Sequence, residues 1–428
     1  MREINKAKDM DIQQIKQFFS ADASNYTGAV DERFADLAHL FSKLQDARTA
    51  YGGAALAVYF QGQKVVDIYT GQKSASELWQ ADTLSICYST GKGVLATLAH
   101  IMVRQGLVEY DLPIAHYWPE FAQNGKAQMT LRHILSHQSG LYDVRNNIAE
   151  ATEMADWHHM LDIMAKAKPR FSFGEDLAYQ PLTFGWLVGG VLEKASGQTL
   201  AHLMQLYLVD PLALDGAYFG VPSDQLQRVA RPLLKPKNDA HRAAGKKQAA
   251  VRKISAFDKL IELSGQNPQD FQDAMIPKGM KKFSFFSDEG IQAVIPAANG
   301  AFTANSLAKI YAMLANRGVW DGQQLIDAET FAKLSEVQSR KRDRIMPIPM
   351  HWRLGYHRVL SLGKSSKGFG HIGFNGSGAW CDPERRLSFA YTHNFATGSL
   401  TGDYRLWTLT QETLRCADKI LTGHKGWF

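Results

Sequence analysis

The chain has 428 residues, of which 45% are hydrophobic and 21% charged, and its formal net charge is +6. That composition is globular and excludes wholesale disorder, while no apolar run approaches the ~18 residues that a membrane-spanning helix needs. Three cysteines, Cys87, Cys381 and Cys416, lie far apart without a CxxC pair, so neither a disulfide framework nor a zinc site is expected.

The chain opens on "MREINKAKDMDIQQIKQFF", which lacks the apolar centre of a secretory signal, so a cytoplasmic location is expected. Between Asp31 and Thr49, Phe34, Leu37, Leu40, Phe41 and Leu44 recur at helical spacing. Two strand-like runs follow, Ala54–Phe60 and Lys64–Thr70, and the short "QGQ" between them reads as a hairpin turn. From Ser89 to about Asn316 helical periodicity dominates, with helices expected at Gly91–Gln105, Leu131–Ser136, Phe184–Ser196, Leu200–Leu208 and Ser306–Arg317. Strand character returns in "HWRLGYHRVL", "HIGFNGSGAWCDP" and "RLSFAYTHN", and an amphipathic helix from Asp403 to Leu421 closes the chain.

This order predicts an α+β protein with one antiparallel sheet of about five strands from both chain ends, terminal helices on a face, and a large helical insertion. Residues 1–88 with 340–428 would form the sheet domain, and 89–339 the helical one, with a basic insertion near 228–290. Arg228 to Lys253 holds nine Lys or Arg against one Asp, with no aromatic residue among them. Nucleic-acid binding would want stacking platforms between the charges, so a solvated insertion is expected and an anionic partner is the alternative.

Ser89 and Lys92 stand three residues apart where a strand-like run gives way to a long apolar helix. That spacing puts both on one helix face. Serine is a poor nucleophile without a base. A lysine at the buried head of such a helix loses charge readily and can serve as one. Free N–H groups at the helix start suit a developing oxyanion. The same S-x-x-K pattern occurs at Ser306–Lys309, read as the wet face of a helix, and at Ser361–Lys364, in a Gly/Lys-rich loop.

Tyr179 precedes another apolar helix, and a phenol near an ammonium can act as a general base. In "FGHIGFNGSGAW" the glycines let another backbone approach a strand edge, and His371 there could titrate or donate a proton. His133 and His137 have metal-compatible spacing without an HExxH pattern, so no metal and no other cofactor is expected. A GxSxG elbow and nucleotide-binding glycine motifs do not occur.

Taken in order, "STGK", "LRHILSHQSGL", "YQPLTFGWLVGGVLEKASG", "IPAANGAFTANSLAKIYAMLANRG" and "GHIGFNGSGAWCDPERRLSFAYTHN" resemble the penicilloyl serine hydrolases. That group comprises class C β-lactamases, D,D-peptidases and the β-lactamase-fold family VIII carboxylesterases, which the chain resembles most. The resemblance runs from about Phe34 to Leu421. It implies a β-lactamase/transpeptidase-like fold, with Ser89 as the acylated nucleophile, Lys92 and Tyr179 as its partners, and an oxyanion hole from the N–H groups of Ser89 and Phe374. His371 and Gly373 would belong to the third motif, which flanks the substrate.

Two departures matter. The family's Tyr-x-Asn is Tyr179-Gln180-Pro181 here, and the frequent Lys of the third motif is His371. Both favour esters over β-lactams. The expectation is therefore a serine carboxylesterase whose partner is a small acyl ester, with no nucleic acid and no membrane span. The alternatives are β-lactam or D-amino-acid amide hydrolysis, acyl transfer to an alcohol, and a non-catalytic scaffold. Oligomeric state is not predicted.

Overall fold

The computed structural model describes residues 25–45, 51–233, 265–362, 365–396 and 403–423. The N-terminal stretch as far as residue 24, most of the basic stretch (234–253) and Lys364 lie outside the described residues.

The main sheet has seven strands rather than about five. Its members are β1 (Thr27–Val30), β2 (Gly53–Phe60), β3 (Gln63–Gly71), β10 (His357–Arg358), β11 (Phe369–Ile372), β12 (Gly378–Asp382) and β13 (Leu387–His393). The order is β1-β3-β2-β13-β12-β11-β10, antiparallel throughout. The two chain ends meet where β2 pairs β13, with Leu56 opposite Tyr391 and Ala57 opposite Ala390.

Alternation along β2 explains why both faces are covered. Ala54, Leu56, Val58 and Phe60 face one core, shared with the terminal helices α1 (Ala35–Leu44) and α6 (Tyr404–Thr422). Phe41 of α1 and Leu409 and Leu414 of α6 are fully buried there. Each contributes about 1.5–3 kcal/mol by leaving water.

The opposite face is built from smaller groups, among them Ala55, Ala57, Ala379 and Ala390, and joins the larger core. Helix α5 (Ala304–Ala315) packs on it, and the hydroxyl of Ser388 in β13 donates to the carbonyl of Ala308 at 2.7 Å.

Around this lie α2 (Thr90–Arg104), α3 (Trp157–Lys166) and α4 (Thr183–Ser196), with short helices between them. Residues Thr90 to Met102 of α2 are all buried, so it is a central helix rather than an amphipathic one. The expected helix Leu200–Leu208 is α-helical only to Met204 and continues as a π-turn over Gln205–Val209.

A second sheet of four short strands went unforeseen. It comprises β4 (Leu84–Ile86), β5 (Ala217–Tyr218), β6 (Val229–Ala230) and β7 (Ala301–Phe302), in the order β5-β7-β4-β6, and β8 (Val319–Trp320) pairs separately with β9 (Gln323–Gln324). β6 begins inside the stretch expected to be a solvated insertion, yet Val229 and Ala230 are buried and β6 pairs in parallel with β4. "HWRLGYHRVL" was expected to be a strand, but only His357–Arg358 pairs, and the preceding residues form a buried loop. "HIGFNGSGAWCDP" is two strands about a 3-10 turn at Phe374–Gly376. No helix among the described residues is long and apolar enough to cross a membrane.

Candidate active site

β4 leads directly into the head of α2. The N–H of Cys87 donates to the carbonyl of Gly300 at 2.9 Å, which fixes the end of the strand. The next residue, Tyr88, has φ +47°, a left-handed conformation that costs a side-chain-bearing residue of order 1–3 kcal/mol. Its ring packs edge-on against Phe374, Phe285 and Phe286. That packing holds the sharp turn that brings Ser89 to the head of α2. The N–H groups of Thr90, Gly91 and Lys92 turn back onto the carbonyls of Cys87, Tyr88 and Ser89, leaving the N–H of Ser89 itself outside that bonding.

Lys92 is fully buried one turn along. Its Nζ lies 2.8 Å from Ser89 Oγ, 2.6 Å from the carbonyl oxygen of Pro181 and 2.8 Å from that of Ala297. Among the described residues no carboxylate pairs with it. Desolvation without a counter-charge holds its pKa well below the ordinary lysine range. A neutral amine satisfies this geometry fully. Two N–H groups donate to the two carbonyls, and the lone pair faces the Ser89 hydroxyl.

Tyr179 arrives from the loop before α4, and its hydroxyl donates to Ser89 Oγ at 2.7 Å. Burial pushes its phenol pKa above the ordinary range, although the bond to Ser89 opposes that. In this arrangement the phenol points its proton at Ser89 Oγ. Its ring stacks on Trp352 at 5.2 Å and 9° between planes, and Lys92 Nζ lies 5.1 Å from the ring centre. Pro181, the third residue of the Tyr179-Gln180-Pro181 run, contributes its backbone carbonyl to Lys92.

β11 passes close by. A Cβ on Gly373 would fall 2.2 Å from the carbonyl oxygen of Cys87, so only glycine lets this strand approach the head of α2. The N–H of Gly373 donates to the carbonyl of Ser377, and that of Gly376 to the carbonyl of Gly373, closing the turn. The N–H of Phe374 takes no part in these two bonds.

His371 is buried, and its Nδ1 lies 2.9 Å from the Ile372 carbonyl. Nδ1 must carry the proton, so Nε2 is an acceptor. Burial, together with the neighbouring His357 and Lys92, holds the His371 pKa well below the usual histidine range.

Ser89, Tyr179, His371 and Phe374 line one cleft with about 340 Å³ of open space. Trp352, Met275, Met346 and Met350 complete its wall. Sequence reading missed Met275, Met346 and Met350 because they lie in segments with little periodic pattern, and Trp352 because it lies in a run that reads as a strand. Met275 ends the helix Pro268–Met275, and the others belong to the loop ahead of β10. Asp343, also missed, accepts the backbone N–H of Tyr179 at 3.0 Å.

The remaining candidates lie elsewhere. Ser306 is not on a wet face: it is buried, its backbone N–H donates to the hydroxyl of the N-cap Thr303, and its own hydroxyl donates to the Asp215 carbonyl at 2.9 Å. His133 Nδ1 bonds Thr130 at the start of its own short helix, whereas His137 packs edge-on to Trp352 at 4.2 Å. Among the described residues no group of His, Cys, Asp or Glu is arranged to hold a metal ion.

A family model described as Beta-lactamase matches residues 37–412. The chain is similar to Esterase/beta-lactamase LipL of Mycobacterium tuberculosis (strain ATCC 25618 / H37Rv), with 35% identity over 375 residues, covering 86% of this chain and 82% of that one. Its fold is similar to that of a penicillin-binding protein homolog from Caulobacter crescentus, with TM-score 0.77 and 30% identity over 91% of this chain and 99% of that one. A family VIII carboxylesterase matches with the same TM-score, 0.77, and 27% identity over 91% of this chain and 99% of its own.

Proposed function

The chain belongs to the Beta-lactamase family and is a serine hydrolase of that fold, and on that premise we propose that it is a carboxylesterase for small acyl esters acting through Ser89, Lys92 and Tyr179. The observation that carries the reading is the pairing at Ser89 Oγ. A buried lysine without a counter-charge lies 2.8 Å away on one side, and a protonated phenol 2.7 Å away on the other.

Neutral Lys92 takes the Ser89 proton as Oγ bonds the ester carbonyl carbon. The carbonyl oxygen becomes an oxyanion between the N–H groups of Ser89 and Phe374. As the carbonyl re-forms, the C–O bond to the alcohol breaks. The departing oxygen takes the Tyr179 proton, and Tyr179 is reprotonated from the Lys92 ammonium. The acyl group now rests on Ser89, with both partners back in their starting states. Water repeats the sequence in reverse roles: it loses a proton to Lys92, adds to the acyl carbon, and releases the acid as Ser89 regains its proton.

The cleft supports a neutral ester over a β-lactam. Its wall is apolar, Lys92 is occupied by two carbonyls, and His371 is uncharged, so a substrate carboxylate would lose water without gaining a cation. Of the similar proteins, the carboxylesterase is named for ester chemistry and the esterase/beta-lactamase for both.

The test is hydrolysis of p-nitrophenyl butyrate by the wild type and Ser89→Ala, with nitrocefin as a β-lactam comparison. Turnover that disappears in the variant, with a fluorophosphonate adduct mapped to Ser89, is the expected outcome. Equal activity in both proteins removes Ser89 as nucleophile, and nitrocefin turnover exceeding that of the ester would reverse the substrate assignment.

A further inference from the structure

Asp343 lies in the long connection between the short helix Ala328–Ser335 and β10. It is 4% exposed, and among the described residues no lysine or arginine pairs with it. Four N–H donors hold its carboxylate instead. Oδ1 accepts from the backbone of Tyr179 at 3.0 Å, Ile345 at 2.8 Å and Met346 at 3.2 Å, and Oδ2 accepts from the indole of Trp352 at 2.8 Å. The Gln266 amide ties the same loop from behind, donating to the carbonyls of Asp343 at 3.1 Å and Met346 at 2.9 Å.

Burying a carboxylate without a cation costs free energy and raises the Asp343 pKa above the usual carboxylate value; these charge-assisted bonds offset only part of that cost. Three of the four donors belong to residues that line the cleft. One is the backbone of Tyr179. Another is the ring on which the Tyr179 phenol lies flat. The third is the backbone of Met346, whose side chain forms part of the apolar wall. A single carboxylate thus grips Tyr179 through its main chain and through its stacking partner.

We propose that Asp343 is a positioning residue of the hydrolytic centre, holding the Tyr179 hydroxyl on Ser89. The proposal rests on the Ser89–Lys92–Tyr179 reading. Asp343 touches no reacting atom, and its effect passes through Tyr179.

That route is testable by non-additivity. Asp343→Asn keeps the volume but turns an NH₂ toward at least one of the existing donors, whichever way the amide is oriented. The expected loss in kcat on p-nitrophenyl butyrate is about tenfold or more, with KM within about twofold, because the phenol is displaced rather than the substrate. In a Tyr179→Phe background, which keeps the ring and its stacking, the same change should cost less than about twofold more.

Equal losses in the two backgrounds, or an unchanged kcat in Asp343→Asn, overturn the proposal. Should Asp343→Asn fail to fold, Trp352→Phe carries the test. It removes the indole bond and part of the ring while keeping an aromatic face, and should lower kcat about threefold in the wild type and not in Tyr179→Phe. Unchanged kcat there overturns the proposal too. Full activity in Tyr179→Phe alone is a different result: it overturns the parent reading and the proposal with it.

Discussion

Lys92 sits in a helix buried on every side, where a charged ammonium has no counter-ion among the described residues and two carbonyls already take its N–H groups. Its pKa is lowered, so the amine is neutral above that pKa and charged below it. A base must be neutral to accept the Ser89 proton. Activity should therefore be present above the lowered pKa and lost as pH falls through it, which places an acid limb on the kcat/KM profile below the ordinary lysine range. Lys92→Arg keeps a charge that cannot be shed, and kcat should fall by about 10³ or more. Retention of even a tenth of wild-type kcat would remove Lys92 as the base. The Ser89–Lys92 pair was legible in the sequence because i,i+3 spacing at a helix start is local geometry. The roles of Tyr179 and His371 were not, because their proton states depend on burial by residues far away in the chain, such as Trp352 and His357.

The β11–turn–β12 element shows how backbone approach shapes the site. An added methyl at Gly373 would meet the Cys87 carbonyl, and neither partner is a flexible side chain that can move aside. Gly373→Ala should push β11 off the head of α2. We expect a loss of about 1–3 kcal/mol of stability and about 100-fold in kcat through displacement of the Phe374 N–H. Gly62→Ala, at a β2–β3 turn with φ +83° and open space around it, is the contrast. It should lower the melting temperature through left-handed strain while leaving kcat/KM within about twofold. Equal kinetic losses in both variants would mean that the Gly373 effect is ordinary destabilisation. The glycine-rich run announced close approach in the sequence. What it approached was not written there, nor were the two-residue strands β5, β6 and β7, which are too short to carry a period.

Three histidines outside the cleft wall tie the molecule together while neutral. His100 bonds Tyr110 and the Leu354 carbonyl, His357 accepts the Ile372 N–H, and His393 accepts the Phe395 N–H. Burial lowers their pKa values to about 3, about 4 and about 3, from an ordinary 6.5. The unfolded chain therefore takes up protons first as pH falls below 6.5, and the folded state loses stability down to the lowered values. Thermal melts should show a plateau above about pH 7 and a steady decline from there to pH 4. A melting temperature that rises on acidification would contradict the buried, neutral state of all three.

The local chemistry of this protein was present in the residue order. Alternation built β2, β3 and β13, helical period built α1, α4 and α6, and the serine–lysine spacing marked the nucleophile, because each depends on neighbours within a few positions. The number of sheet strands, the methionine–tryptophan wall and the carboxylate behind Tyr179 were decided only in three dimensions. Asp343 in "KRDRIMP" reads as one more charge in a polar loop. It becomes a buried acceptor because the fold carries that loop back across residues 177–181, where the Tyr179 backbone and the Trp352 indole need an acceptor that water cannot supply.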